Sequence, residues 1–171
     1  VHVEENFIGD RWAKLLINAA FSGMSAVTGG TFGVAAAEKR SRRCVQYIIK
    51  ECIDVARAAN ITIPPVQGKD IVKLLDFAGG MKRWLFFQII PLATRKHRDL
   101  EASMLQDLRH GKLTEVDFIS GVVCRYGRQH GVPTPFNDRV VQVVHEIEQG
   151  LYAAGMGNVA RFSDLADAIR A

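Results

Sequence analysis

Apolar residues recur in this chain at spacings of three and four almost from end to end. Alternating apolar and polar runs, which a half-buried strand needs, are nearly absent. Such a chain must build its core from helix faces, so the fold class implied is all-α, with residues 1–171 forming one domain. The chain is 48% hydrophobic and 23% charged, which suits a globular domain with a sizeable core. No apolar run reaches the ~20 residues of a membrane span. The opening Val1-His2-Val3-Glu4-Glu5 lacks the basic start and apolar run of a signal peptide, and it lacks an initiator Met. A cytoplasmic piece of a longer protein is therefore expected.

The periodicity predicts a first helix over 10–21, stopped by Ser22-Gly23, and a turn through Thr28-Gly29-Gly30-Thr31-Phe32-Gly33. A long helix is expected over 34–59, with Val45, Ile48, Ile49, Cys52, Val55, Ala56 and Ala59 on one apolar face. Residues 69–87 look helical with a bend at Gly79-Gly80, and the apolar stretch from Trp84 ends at Pro91. Further helices are expected over 99–108, 136–154 and 163–169. Another should be opened by Thr114, with Asp117 at its third position, and run to about His130. Gly121 in that helix suggests close approach of another backbone.

With 22 basic and 18 acidic residues the net charge is +4, compatible with small anionic ligands. The basic stretches Lys39-Arg40-Ser41-Arg42-Arg43 and Arg95-Lys96-His97-Arg98 carry no interleaved aromatics, so they read as solvated faces and no nucleic-acid partner is expected. Cys44, Cys52 and Cys124 have apolar neighbours and no C-x-x-C spacing, which predicts buried free thiols; no metal site is expected. Gly30 and Gly33 sit like the last two glycines of a dinucleotide fingerprint, but Thr28 replaces the first and no strand precedes it.

The informative residues are polar ones in apolar settings. Lys14, Asn18 and Ser22 are four apart on a helix otherwise apolar almost all round, which predicts burial. Lys14 either snorkels to solvent or belongs to a site. Ser103 lies beside apolar residues near a helix start, and Glu115 follows a capping threonine.

Taken in order, Trp12-Ala13-Lys14-Leu15 with Asn18, Ser103-Met104-Leu105-Gln106-Asp107, Thr114-Glu115-Val116-Asp117, Gly121 and Gly131-Val132-Pro133-Thr134-Pro135 resemble the C-terminal helical domain of the ketopantoate reductase (2-dehydropantoate 2-reductase) family. The resemblance covers roughly residues 8–148. It implies the helical domain of the 6-phosphogluconate dehydrogenase-like type, here without its N-terminal Rossmann domain. It also implies NADPH-dependent reduction of ketopantoate to pantoate, in pantothenate and coenzyme A biosynthesis. By the same resemblance Lys14 is the general acid and Asn18 a substrate-positioning amide. Ser103 is a substrate-binding hydroxyl, and Glu115 an acid at the substrate and the cofactor ribose. Ser22 stands where the family usually has a second Asn, which implies a different fit to the keto acid. The region 64–98 is longer than in compact members, and its Trp84-to-Pro91 stretch is expected to serve packing or a homodimer surface. If the resemblance holds, Lys14, Asn18, Ser103 and Glu115 converge on one cleft, and the chain alone has no turnover. The alternative is a helical dimerisation or interaction module without catalysis.

Overall fold

The computed structural model describes residues 6–168 except 67, 69 and 78. Nine α-helices and three short 3-10 segments, joined by turns, occur among the described residues, with no strand among them, as the periodicity predicts. The long first helix, α1 (Phe7–Thr28), threads the core, and its Leu16, Ala19, Ala20, Met24 and Val27 are fully buried. Its start is capped by Asn6, whose side chain accepts from the Gly9 N–H; its end is Gly29 in the left-handed region (φ 68°). The predicted stop at Ser22-Gly23 does not occur. Ser22 is buried, and a Cβ at Gly23 would meet Val140 Cγ1 at 2.9 Å, so this glycine admits a neighbouring helix rather than ending its own.

The expected helix over 34–59 is two helices, α2 (Phe32–Ala37) and α3 (Lys39–Ala58). The break falls at Glu38, whose backbone is extended and whose carboxylate accepts from the Ser41 N–H at 2.6 Å. Arg42 donates to the Ala36 and Ala37 carbonyls at the end of α2, so this part of the basic stretch ties two helices together. α4 (Ile71–Leu75) and α5 (Gly80–Ala93) replace the continuous helix expected from Lys69, a residue outside those described. Pro91 lies inside α5 instead of ending it. It forfeits one backbone bond near the last turn, and the ladder resumes with the Thr94 N–H on the Ile90 carbonyl.

α6 (Ser103–Arg109) follows, and then the Thr114 hydroxyl accepts from the Val116 N–H. That cap opens only the 3-10 turn Val116–Phe118, and α7 (Ser120–His130) begins after it, later than predicted. α8 (Pro135–Glu148) ends sooner than predicted, and Gly150 (φ 74°) turns the chain toward the 3-10 segment Met156–Phe162 and α9 (Ser163–Ala168). Ile169, expected in the last helix, lies outside the described residues. The core joins α1, α3, α7 and α8, and the three cysteines are buried and free as expected. No helix among the described residues is long and apolar enough to cross a membrane.

A buried carboxylate fixes α3 against α8. Glu51 Oε1 accepts from the Phe136 N–H at 2.8 Å, and Oε2 accepts from the Asn137 N–H and its Nδ2 at 2.9 and 2.8 Å. These are first-turn amides of α8, which have no partner within the helix and favour a negative charge. Burial nevertheless dominates and pushes the Glu51 carboxyl up from 4.5 to about 7, against the opposing pull of those hydrogen bonds.

Close backbone approach occurs at Gly127, not at Gly121. A Cβ at Gly127 would lie 2.7 Å from the Val132 carbonyl oxygen and 2.8 Å from Thr134 Cγ2, because the chain folds back there after left-handed Gly131. A Cβ at Gly121 would meet only Arg125 Nη1 at 3.4 Å and Asp117 side-chain atoms at 3.5 and 3.6 Å, which is ordinary contact.

Two predictions follow from this packing. Gly127→Ala should destabilise the domain by about 1–3 kcal/mol through the backbone clash. Gly121→Ala should be neutral or stabilising by up to ~1 kcal/mol through helix propensity; denaturant melts of the two variants check the contrast. For Glu51, the folded domain holds a proton at pH values where the unfolded chain has released it. Stability should therefore fall as pH rises from 4.5 to about 7 and level off above that. The difference in melting temperature between the parent chain and Glu51→Gln should track that window, and a flat difference would contradict the assignment.

Candidate functional site

Ser103 is the first residue of α6, and Glu115 precedes the 3-10 turn Val116–Phe118. Between them the chain reverses at Gly111 (φ 66°), where the Lys112 N–H bonds back to the Asp107 carbonyl at 2.9 Å. The reversal brings together two residues twelve apart, and the Ser103 hydroxyl donates to Glu115 Oε1 at 3.0 Å. Both side chains are exposed. A hydroxyl committed as donor keeps its oxygen lone pairs free, so it is oriented to accept from a ligand O–H or N–H.

The turn carrying Glu115 is held on several sides. Thr114 N–H donates to Glu148 Oε1 at 2.7 Å, Phe118 N–H to the Glu115 carbonyl at 3.0 Å, and His145 Nε2 lies 3.1 Å from Asp117 Oδ2. Arg125 donates to the Asp117 carbonyl at 3.1 Å.

Lys14, Asn18 and Ser22 follow one another along α1 at four-residue spacing. Lys14 is exposed, Asn18 half-buried and Ser22 buried, so the burial predicted for Lys14 is corrected. The cause is its position near the start of α1, where Trp12 and Ala13 turn inward while Arg11 and Lys14 turn to solvent. Trp12 is fixed by its indole N–H on the Cys52 carbonyl at 2.9 Å. Neither Lys14 nor Asn18 hydrogen-bonds through its side chain to another described residue. The structure thus joins Ser103 to Glu115 and aligns Lys14 with Asn18, without a bond between the two pairs.

Three clefts lie elsewhere. One of about 430 Å³ lies between α2 and the 94–99 segment, and a second of about 430 Å³ between α3 and residues 61–73. A third, of about 530 Å³, is lined by Lys39, Arg43, Trp84, Phe87 and residues of α9. On α5, Phe86 and Ile90 are buried, Trp84 and Leu85 are exposed, and Phe87 lies under the Arg42 and Arg43 guanidinium groups. The Trp84-to-Pro91 stretch therefore packs by one side and offers the other.

The residues present do not form a dinucleotide phosphate cradle. Gly33 N–H bonds to the Arg98 carbonyl at 2.8 Å and Phe32 N–H to the Leu100 carbonyl at 3.0 Å, so the chain itself occupies the start of α2. No group of three His, Cys, Asp or Glu suited to a metal occurs among the described residues.

An all-helical domain with a surface hydroxyl–carboxylate pair is the class that this fold and site define. A profile described as the C-terminal part of PanE/ApbA ketopantoate reductase matches residues 6–148, and the chain belongs to that family. A 2-dehydropantoate 2-reductase of Vibrio cholerae is 30% identical over 138 residues, 81% of this chain and 40% of the relative. One from Pyrobaculum aerophilum is 25% identical over 144 residues, 84% of this chain and 45% of the relative. The solved PanE/ApbA family ketopantoate reductase from Ralstonia eutropha JMP134 superposes with a TM-score of 0.68 at 26% identity, over 86% of this chain and 43% of that one. D-mandelate dehydrogenase, solved with NADH and anilino(oxo)acetate, shares the fold at 22% identity with a TM-score of 0.67, over 88% of this chain and 44% of that one. The chain spans less than half the length of each of these relatives.

Proposed function

We propose that this chain is the substrate-binding and proton-donating half of an NADPH-dependent 2-keto acid reductase that converts 2-dehydropantoate to pantoate. The observation that carries this reading is the exposed Ser103–Glu115 pair, held at 3.0 Å in a chain that belongs to the family. A Rossmann domain N-terminal to it in the same protein is the proposed partner. A second copy is also proposed, through the exposed Trp84 and Leu85 side of α5.

NADPH, when bound, supplies a hydride to the ketone carbon. Lys14 protonates the alkoxide oxygen that this addition creates, and its ammonium stabilises the developing charge. Asn18, one turn on, offers an amide N–H to the substrate carboxylate. Ser103, with its proton on Glu115, accepts from a substrate hydroxyl, and Glu115 has a second carboxylate oxygen for a ribose hydroxyl. Ser22, the third step of the α1 stripe, is buried within this chain, so its part toward the keto acid is through the shape of the α1 face rather than by an exposed hydroxyl.

In the protein that carries the N-terminal domain, Lys14→Ala should lower kcat by about 10²–10⁴. Ser103→Ala should act mainly on KM for the keto acid. The 171-residue chain alone should show no NADPH oxidation with ketopantoate. Turnover by the isolated chain, or a Lys14→Ala enzyme with unchanged kcat, would overturn the reading.

A further inference from the structure

We infer that Glu148, at the end of α8, is a positioning residue that sets Glu115 against Ser103; this rests on the reading of the site proposed above. Glu148 is half-buried, and its Oε1 accepts the Thr114 N–H at 2.7 Å, across a sequence separation of 34 residues. Thr114 in turn accepts the Val116 N–H on its hydroxyl at 3.2 Å. Glu115 is thus the residue between two pinned amides, one held by another helix and one by its neighbour's side chain. Its carbonyl takes the Phe118 N–H at 3.0 Å, which closes the turn on the other side.

These bonds hold the backbone on both sides of Glu115, and from that backbone its carboxylate accepts the Ser103 hydroxyl at 3.0 Å. Nothing on the 111–114 segment replaces Glu148. Lys112 bonds back toward α6, and Leu113 is exposed. His145, one turn earlier on α8, lies 3.1 Å from Asp117 of the same turn, so the end of α8 grips the segment at two points. A carboxylate takes part at both points, and at Glu148 it holds a main-chain amide, so that contact fixes the backbone itself.

An acceptor of the right length is what the role requires. Glu148→Gln retains a carbonyl oxygen at the same reach, whereas Glu148→Asp retains the charge one methylene short. As the last residue of α8 and partly solvated, Glu148 tolerates either change without loss of the fold.

The test uses steady-state kinetics of the protein carrying its N-terminal domain, with ketopantoate and NADPH varied in turn. Glu148→Asp and Glu148→Ala should raise KM by roughly ten- to a hundredfold, with kcat changed much less, because orientation rather than proton donation is lost. Glu148→Gln should restore KM to within about threefold of the parent value. Parent-like KM in Glu148→Ala, or equal losses in the Gln and Ala variants, would overturn the inference. Glu115→Ala is measured alongside. If it lowers activity while Glu148→Ala does not, only the positioning role fails. If Glu115→Ala is itself without effect, the site reading fails, and the positioning role with it.

Discussion

The Glu51 carboxylate in the first turn of α8 is the contact on which the placement of the site depends. It joins the middle of α3 to the start of α8 with hydrogen bonds to two main-chain amides and one side-chain amide. A hydrogen-bonded acid in a buried setting has little freedom to slide, so it fixes α8 along its axis as well as against α3. A 14-residue helix is a rod of about 21 Å. Its far end carries His145 and Glu148 to the turn that holds Glu115. The buried cap and the exposed site are therefore opposite ends of one rigid element, and a change in the register of α8 would be felt at both.

α1 supplies the second axis. Its buried residues pack against α2, α3, α6 and α8, and Gly23 allows Val140 of α8 to come close. The same helix displays Lys14 in its first half and half-buries Asn18 at its middle. Both pairs of candidate residues are thus carried by elements whose positions are set inside the core, which suits a site that must hold its geometry while one side stays open.

The helical class and the general order of elements were legible in the periodicity, because apolar spacing reports which face is buried. The boundaries were not, for reasons that lie outside local propensity. Ser22-Gly23 reads as a stop, yet α8 packs there and wants the missing Cβ. Glu38 reads as helical, yet its carboxylate does more as a cap for α3 than within a turn. Thr114 and Asp117 form a capping pattern, but the hydroxyl serves a 3-10 turn and the acid faces His145. Ser103 and Glu115 were legible only through the family resemblance, since the reversal at Gly111 that joins them leaves no periodic mark. Glu51 was legible in principle. An acid three residues after Ile48 and four before Val55 sits on the buried face of α3, and a charge there needs a partner.

The exposure of Lys14 bears on how such a site would work. An ammonium buried within one domain would have to be neutralised by that domain, because an unpaired charge in a core is costly. An ammonium left at the surface keeps its hydration until a second surface covers it. On the reading proposed here, the surrounding water is removed only when the keto acid and the nucleotide-binding domain close over α1. The electrostatic contribution of Lys14 then strengthens at the moment charge develops on the substrate oxygen. That division explains why one helix can bury a mostly apolar side and still begin with an exposed cation. On that reading, the α1, α3 and α8 core carries the stability and the proposed proton donor stays at the surface, open to the proposed nucleotide-binding domain.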